Sequence, residues 1–307
     1  MNLMRWVKMG ILGGGVGAAG AWLWRYLQPE HSPLVLEHAV VVITGASGGI
    51  GRAYAHTFAK QGCRIVLAAR RADALEEVRT EIAPYAADVL VVPTDVRDDD
   101  ALGRLVQTTL DAFGQIDILI NNAGVTQHGM LHRESPQDIR ALVDTNLASA
   151  MALTALALPS MLARGSGWIV NLASVAGHTD FPFYIVYAPV KRGLISFGDT
   201  LRRQLDGTGV HVLNVMPSYT TTAMVTPSVM AWVKSMDMAV DTPETIAEKT
   251  LDALLKNRKE LLFGGLLLRG GLFLQRHFPR LADILGRTMI DVTTYEMTDS
   301  KSPLREN

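Results

Sequence analysis

The sequence predicts an α/β fold built on a doubly wound parallel sheet. Three observations predict it. Short runs that are apolar throughout alternate with longer stretches of helical pattern, the signature of parallel strands covered by helices on both faces. A glycine-rich turn stands between the first apolar run and the first helical stretch. The chain has 307 residues, 48% of them apolar and 19% charged, enough to bury one large core and unlike the composition of a disordered chain.

The elements follow in order. Gln28 to His38, with Pro29 and Pro33, reads as a linker. Ala39–Ile43 is the first strand and Arg52–Gln61 the first helix; Arg64–Ala69 is the second strand and Ala72–Ile82 the second helix. Val89–Pro93 is the third strand. Asp98–Phe113 is a helix whose opening aspartates, Asp98 to Asp100, complement its dipole. Ile116–Ile120 is the fourth strand. Pro136–Ala163 is predicted as one long helix, with Ser135 as N-cap and Pro136 in the first position. Trp168–Leu172, Tyr184–Leu205 and Val210–Met216 supply a strand, a helix and a sixth strand. No repeat recurs at a solenoid period.

Composition narrows the function. A net charge of −1 carries no electrostatic footprint for nucleic acid. The single cysteine, Cys63, rules out an internal disulfide framework and a cysteine-based zinc site, and it reads as a buried thiol. No His, Asp and Glu cluster has metal-ligand spacing, so no metal is expected.

The two ends differ from the middle. From Met9 to Trp24 there are sixteen residues without a charge. As a helix they span about 24 Å, short of the roughly 30 Å hydrocarbon core, with Trp22, Trp24, Arg25 and Tyr26 placed to extend the reach at the interface. The expectation is a retained N-terminal hydrophobic anchor with its linker over 1–30; a cleaved signal peptide and a peripheral helix are the alternatives. At the other end, 261–307 holds Leu261 to Phe263, Leu266 to Leu268, Leu272 to Leu274 and Phe278, interleaved with Arg269, Arg276 and Arg280. This apolar-basic segment reads as a surface for a membrane or for a partner subunit.

The chemistry lies between. Thr44, Gly45, Ala46, Ser47, Gly48, Gly49, Ile50 and Gly51 form the turn from first strand to first helix. Glycines there let the backbone approach a pyrophosphate, and the helix N-terminus offers N–H donors and a positive dipole. The second strand ends in Ala69, Arg70 and Arg71. An NAD enzyme needs an acid here for the ribose hydroxyls; two guanidinium groups instead suit a 2′-phosphate, so NADP(H) is the expected cofactor.

Further on stand Asn121, Asn122, Ala123 and Gly124, then Asn146, Ser174, and Tyr187 with Lys191 four residues later. A Tyr-x-x-x-Lys pair alone means little, because it arises by chance on any helix. The set in this order resembles the short-chain dehydrogenase/reductase family over roughly residues 38–225, a Rossmann-type fold. The resemblance implies a dehydrogenase domain over 31–260 that interconverts a ketone or aldehyde and an alcohol with NADP(H). Tyr187 would exchange the proton, Ser174 would hold the carbonyl oxygen, Lys191 would bind the nicotinamide ribose, and Asn146 would hold a water linking Lys191 to solvent. A free tyrosine titrates near pH ~10; Lys191, one helical turn away, together with the oxidised nicotinamide, is expected to pull that value down. Tyr184 has no lysine at 188 and is set aside. The resemblance also implies that Asp95 and Val96 grip the adenine, that Asn122, Ala123 and Gly124 floor the cofactor cleft, and that Pro217, Thr220 and Thr222 receive the carboxamide.

Two positions depart from the family's pattern, Ser218 after Pro217 and Pro189 within the Tyr187–Lys191 turn; the proline is tolerable only if its helix starts near Ile185 or later. His128 and His132, after the Asn-Asn-Ala-Gly run, read as surface loop histidines, with contact to the substrate as the alternative. Met224 to Val240, rich in methionine, reads as a lid over a greasy pocket. The expected substrate is therefore a lipophilic carbonyl or alcohol, the expected assembly a homodimer or homotetramer, and the expected location a membrane with the catalytic domain in the cytoplasm. A non-catalytic nucleotide-binding scaffold or redox sensor is the alternative from another class. A soluble reductase of carrier-bound ketoacyl groups is the alternative among enzymes.

Overall fold

Branched aliphatic residues dominate the strand runs, and those runs pair into one parallel sheet. The computed structural model describes residues 34–179, 181–222, 230, 233, 239–278, 280, 281 and 284. The chain divides into two units between Leu34 and Val35, and the fold described here is that of the second. The predicted anchor at 1–30 and most of the predicted lid at 224–240 lie outside the described residues.

The strands are β1 (Val40–Thr44), β2 (Arg64–Ala69), β3 (Asp88–Pro93), β4 (Ile118–Asn121), β5 (Gly167–Leu172), β6 (Val210–Met216), the short β7 (Tyr219–Thr220) and β8 (Val240–Asp241), and β9 (Glu260–Leu262). The main sheet has seven strands in the order β3-β2-β1-β4-β5-β6-β9; β7 and β8 pair separately. The helices are α1 (Gly49–Ala59), α2 (Ala72–Ile82), α3 (Asp99–Phe113), α4 (Pro136–Val143), α5 (Ser149–Arg164), α6 (Tyr187–Gln204), α7 (Pro243–Leu255) and α8 (Leu266–His277). Helix α1 packs on α2 and α7, and α3 packs on α5. Alternate strand residues serve the two faces. Val40, Val42, Val66, Leu119, Ile169 and Val212 join Leu102, Leu105, Leu153, Ala157, Met161 and Leu201 of α3, α5 and α6 in one cluster. The intervening Ile43, Ile65, Leu67, Ile118 and Ile120 are also fully buried, so both faces of the sheet are covered, as an all-parallel sheet requires.

Three differences from the sequence expectation have physical causes. The helix predicted over 136–163 is interrupted by a π turn at Asp144–Ala148. There Asn146 Nδ2 donates to Leu142 O, Thr145 Oγ1 to Ala141 O and Ser149 Oγ to Thr145 O, and such side-chain bonds to the backbone compete with the regular ladder. The run 136–164 has 29 residues, and an 18-residue stretch within it reaches a mean hydropathy of 1.5, long and apolar enough to cross a membrane. In this fold, however, Leu153, Thr154, Ala157 and Met161 face the core. Second, the sheet takes in Leu261 and Leu262, pairing Val215 with Leu261 and Met216 with Leu262, and Phe263 is buried behind them. Third, the strands are not apolar throughout.

Asn121, Asn171 and Asn214 occupy matched positions on β4, β5 and β6, each no more than 4% exposed. Asn121 Nδ2 donates to Asn171 Oδ1 at 3.0 Å and to Thr154 Oγ1 at 3.0 Å; Asn171 Nδ2 donates to Asn214 Oδ1 at 3.3 Å. Asn214 Nδ2 ends the series on Ile195 O and Asp199 Oδ1. A buried amide left unpaired costs about 1–3 kcal/mol, so the three are tolerated only together. Asn171→Leu, which removes one acceptor from Asn121 Nδ2 and the donor to Asn214 Oδ1, should lower unfolding stability by about 2–3 kcal/mol in urea titration followed by circular dichroism, with the denaturant slope unchanged.

Candidate active site

The order of strands in the sheet reverses between β1 and β4, and ligands of open α/β sheets bind outside the carboxyl ends of the strands at such a switch point. Here the two strand ends are tied together. Thr44 Oγ1 donates to Ile120 O at 3.2 Å and accepts from the N–H groups of Asn122 and Ala123, each at 3.0 Å. Asn122 Nδ2 donates back to Thr44 O at 2.6 Å and to Gly45 O at 3.3 Å. Thr44 and Asn122 thus hold the glycine-rich turn against the loop after β4.

The turn suits a dinucleotide. A Cβ on Gly51 would collide with Gly45 O, so only glycine lets α1 start this close to the strand. Gly48 is the N-cap of α1, no side chain caps that end, and the space above Gly48 is open for 4 Å. Uncapped N–H groups facing open space at a helix N-terminus are what a pyrophosphate needs. Thr222 reaches this turn from the far loop, its Cγ2 3.4 Å from where a Cβ of Gly49 would stand. Pro217 O accepts from Val175 N, and Thr220, nearly buried, donates its Oγ1 to Ser218 O.

At the adenine end, Val96 is buried and Asp95 is half-exposed. The Arg97 guanidinium grips both Asp95 oxygens, at 3.1 and 2.7 Å. Those hydrogen bonds lower the Asp95 carboxyl from its ordinary value, and Arg70 nearby adds to the effect. The sequence reading missed Arg97. Arg70 and Arg71 are both exposed where β2 ends and α2 begins.

The four predicted catalytic residues come from three segments that meet at the carboxyl ends of β4 and β5. Asn146 sits in the π turn, 2% exposed, with Oδ1 accepting from Val125 N at 3.2 Å. Both its polar atoms are therefore engaged with backbone. Ser174 caps the one-turn 3-10 helix Val175–His178, its Oγ accepting from Ala176 N at 3.1 Å. Tyr187 and Lys191 open α6. Gly177 brings the 3-10 turn onto α6, because a Cβ there would meet the Arg192 N–H and the Lys191 carbonyl carbon at 2.9 Å. Lys191, 4% exposed, donates from Nζ to Leu172 O at 2.9 Å and stands 5.6 Å from the centre of the Tyr187 ring. A Cβ on Gly124 would lie 2.7 Å from Asn146 Oδ1 and 3.5 Å from Lys191 Nζ, so the cleft floor, the π turn and the lysine converge on one point. Pro189 falls in the first turn of α6, where its missing N–H is one the helix would leave unpaired.

Electrostatics depart from the expectation that Lys191 pulls the phenol down. In the chain by itself, desolvation pushes Tyr187 up to about 12; a hydrogen bond with Ser174 opposes the rise and Tyr219 adds to it. Desolvation pushes Lys191 down to about 8. Lys191 is buried and Tyr187 half-buried beside it, and loss of water penalises each charged form.

Aromatic residues line the approach to Tyr187. The Tyr184 ring lies 5.5 Å from that of Tyr187 and 4.8 Å from that of His128, and Tyr219 hydrogen-bonds to Tyr184. Tyr184, set aside on spacing alone, is a wall of the site. His128 is half-buried against it rather than a surface residue, whereas His132 is exposed as expected. The signal that would have found Tyr184, a ring stacked between two loops, exists only in three dimensions.

Residues 39–231 match the family model described as short chain dehydrogenase. The chain is 36% identical over 222 residues to a protein of Nostoc sp. named Ketoacyl reductase HetN, covering 72% of this chain and 77% of that one. It is 35% identical to a Dehydrogenase/reductase SDR family protein 7-like of Anopheles gambiae and 32% identical to a Dehydrogenase/reductase SDR family member 7B of Bos taurus, each match covering 80% of both chains. Among solved structures, it is similar to a 3-ketoacyl-(acyl-carrier-protein) reductase from Brucella melitensis complexed with NADH. The TM-score is 0.68 and the identity 25%, with 74% of this chain and 96% of that one covered.

The Lys191 shift has a measurable consequence for stability. Its folded value is about 8 against an ordinary lysine value of 10.5, so between those two values the unfolded chain binds the extra proton. Stability contributed at this site should therefore rise from pH 8 to pH 10, and should be flat below pH 7. Urea unfolding of the parent protein and of Lys191→Met across pH 6–10 isolates the effect: the difference between the two should change only above about pH 8.

Proposed function

The chain belongs to the short-chain dehydrogenase/reductase family, and from that premise we propose that it is an NADP(H)-dependent reductase of lipophilic ketones or aldehydes, able to run in reverse. It is an oxidoreductase acting between C=O and CH–OH groups with a nicotinamide cofactor. The observation that carries the mechanism is the meeting of Ser174, Tyr187, Lys191 and Asn146 beside an open, uncapped helix N-terminus. The scaffold alternative has no use for a buried lysine beside a half-buried phenol, since burying a lysine costs stability in a protein without turnover.

When bound, the nicotinamide cofactor supplies or accepts the hydride. The rest falls to this chain. Tyr187 Oη gives its proton to the carbonyl oxygen in reduction and takes it back in oxidation. A phenol kept protonated by desolvation is in the form that reduction requires. Ser174, hydrogen-bonded to Tyr187, holds the same substrate oxygen. Lys191, tied to Leu172 O, favours phenolate as charge develops and supports the ribose. Asn146 holds the loop after Gly124 and stands beside Lys191, where a bound water would connect the lysine to solvent.

Preference for NADP(H) rests on Arg70 and Arg71 and on the absence of an acid at Ala69. The Brucella structure holds NADH, so cofactor choice is where this chain is expected to differ. The lipophilic substrate rests on the methionine-rich segment 224–240 and on the apolar ends of the chain. Membrane association, with the catalytic domain in the cytoplasm, rests on the uncharged run at 9–24 and on the far end. There Phe273, Phe278, Leu281 and Ile284 are exposed beside Arg269, Arg276 and Arg280, with no acidic residue from 266 to 281. Homo-oligomer formation is supported by Met151, Leu156 and Leu162, exposed on α5.

Kinetics with both cofactors test the first reading. NADPH should exceed NADH in kcat/KM by at least about tenfold, and Arg70→Ala should erase most of that gap, the loss of one charge-assisted hydrogen bond being worth about 1.5–3 kcal/mol. Tyr187→Phe should lower kcat by about 1,000-fold or more while NADPH binding, read by fluorescence titration, stays within a few fold. Equal use of the two cofactors, or an active Tyr187→Phe, contradicts the proposal.

Flotation tests the second. Full-length protein should float with vesicles containing anionic lipid, and protein lacking residues 1–30 should float less and only with anionic vesicles. Extracted in detergent, it should sediment as a dimer or tetramer. Full-length protein that stays in the soluble fraction at low salt removes the anchor.

A further inference from the structure

Two consecutive residues on the loop after β4 hold polar atoms that no other described residue pairs with. Gln127 is 3% exposed, and neither its Oε1 nor its Nε2 has a hydrogen-bond partner among the described residues. The Nε2 of His128, next along the chain, is also buried without a partner. Buried polar groups are almost always paired, and one left over asks for an explanation. The mechanism above uses neither residue.

Their position supplies the explanation. The loop leaves the carboxyl end of the sheet beside Asn122 and Gly124, on the side where the substrate must lie. It is held there by backbone pairing: Gly129 N donates to Phe183 O at 3.0 Å, and Gly129 bridges to Tyr184. The His128 ring packs 4.8 Å from Tyr184, which packs 5.5 Å from Tyr187. One aromatic ring therefore separates the unpaired imidazole nitrogen from the catalytic phenol. Burial holds His128 below the ordinary histidine range, so at neutral pH it is an uncharged ring that takes a neutral partner. Gln127 beside it carries both a donor and an acceptor.

We propose that Gln127 and His128 form a polar subsite for a second oxygen on the substrate, several bonds from the carbonyl that Tyr187 and Ser174 engage. This inference rests on the reductase reading and deepens it: the preferred substrate is a ketone carrying a further acyl or hydroxyl oxygen, not a bare hydrocarbon ketone. The subsite adds no step to the reaction. It orients the chain so that the reacting carbonyl faces Tyr187. A purely apolar ketone would leave three buried polar atoms unpaired, and such a site discriminates strongly against an analogue that lacks the matching group.

The test is a series of 3-, 4-, 5- and 6-oxo esters and the methyl ketones of equal chain length, reduced by the full-length protein with NADPH. For at least one spacing, kcat/KM for the oxo ester should exceed that for its ketone by about tenfold or more, the worth of about one neutral hydrogen bond. In His128→Phe, which keeps a ring against Tyr184, that ratio should fall to within about threefold of unity; Gln127→Met should reduce it in the same direction. A second readout does not depend on turnover. With ¹⁵N-labelled histidine, the signal assigned to His128 by its loss in His128→Phe should shift when the preferred oxo ester joins the protein–NADP⁺ complex, and should stay when the ketone does. A parent ratio near one at every spacing, or a ratio that survives His128→Phe, overturns the subsite while leaving the reductase reading intact. A His128 signal that moves in a protein turning over neither compound does the reverse.

Discussion

Everything at this site hangs on the tie between Thr44 and Asn122. β1 and β4 pair along their length, but where the strand order reverses the chains part beyond their carboxyl ends, and the backbone groups there have no strand partner. A hydroxyl is one of the few side chains that can serve them, since it donates once and accepts twice. Thr44 does all three, to Ile120 O and from the N–H groups of Asn122 and Ala123, and the Asn122 amide closes the loop from the other side. The glycine-rich turn and the cleft floor are therefore one rigid piece. The cofactor cradle and the Gly124 region, where Asn146 and Lys191 converge, cannot move independently.

The second constraint is desolvation. Lys191 is buried and Tyr187 half-buried, and partial loss of water displaces each toward its neutral form. The arrangement opposes stability and serves chemistry. A lysine held near 8 responds to small changes of local charge, and a phenol beside it can change its proton affinity as charge develops on the substrate. What fixes the pair is backbone: Lys191 is anchored on Leu172 O, and Ser174 is carried into place by a 3-10 turn pressed on α6 at Gly177. Beneath them the three paired asparagines tie β4, β5 and β6 to α5 and α6. The sheet floor thus holds the strand ends from which the site residues project.

Much of this was legible in the sequence. Hydrophobic runs report burial directly, so the six strands from β1 to β6 fell within a few residues of their observed bounds, and Val210–Met216 matched at both ends. Capping follows local rules, so Ser135 and Asp98 were readable as helix starts, and both side chains do accept from the first-turn N–H groups. Motif order placed Thr44, Asn122, Ser174, Tyr187 and Lys191 in one site because each lies at a turn or helix start that a doubly wound topology brings to the same edge.

The sequence by itself determined the fold class and the family, because periodicity, caps and motif spacing are local and survive without coordinates. Tertiary structure decided the rest. It broke the long helix at Asn146, since the bond to Val125 N comes from a loop twenty residues away. It placed Leu261 and Leu262 in the sheet rather than on a surface, since a strand three residues long shows no period. It turned Tyr184 from a discarded match into a wall of the site and His128 from a loop residue into its inner edge. Most of all it set the protonation of Tyr187 and Lys191. A spacing of four says only that two side chains share a helix face, whereas the balance between their attraction and their loss of water depends on everything packed around them.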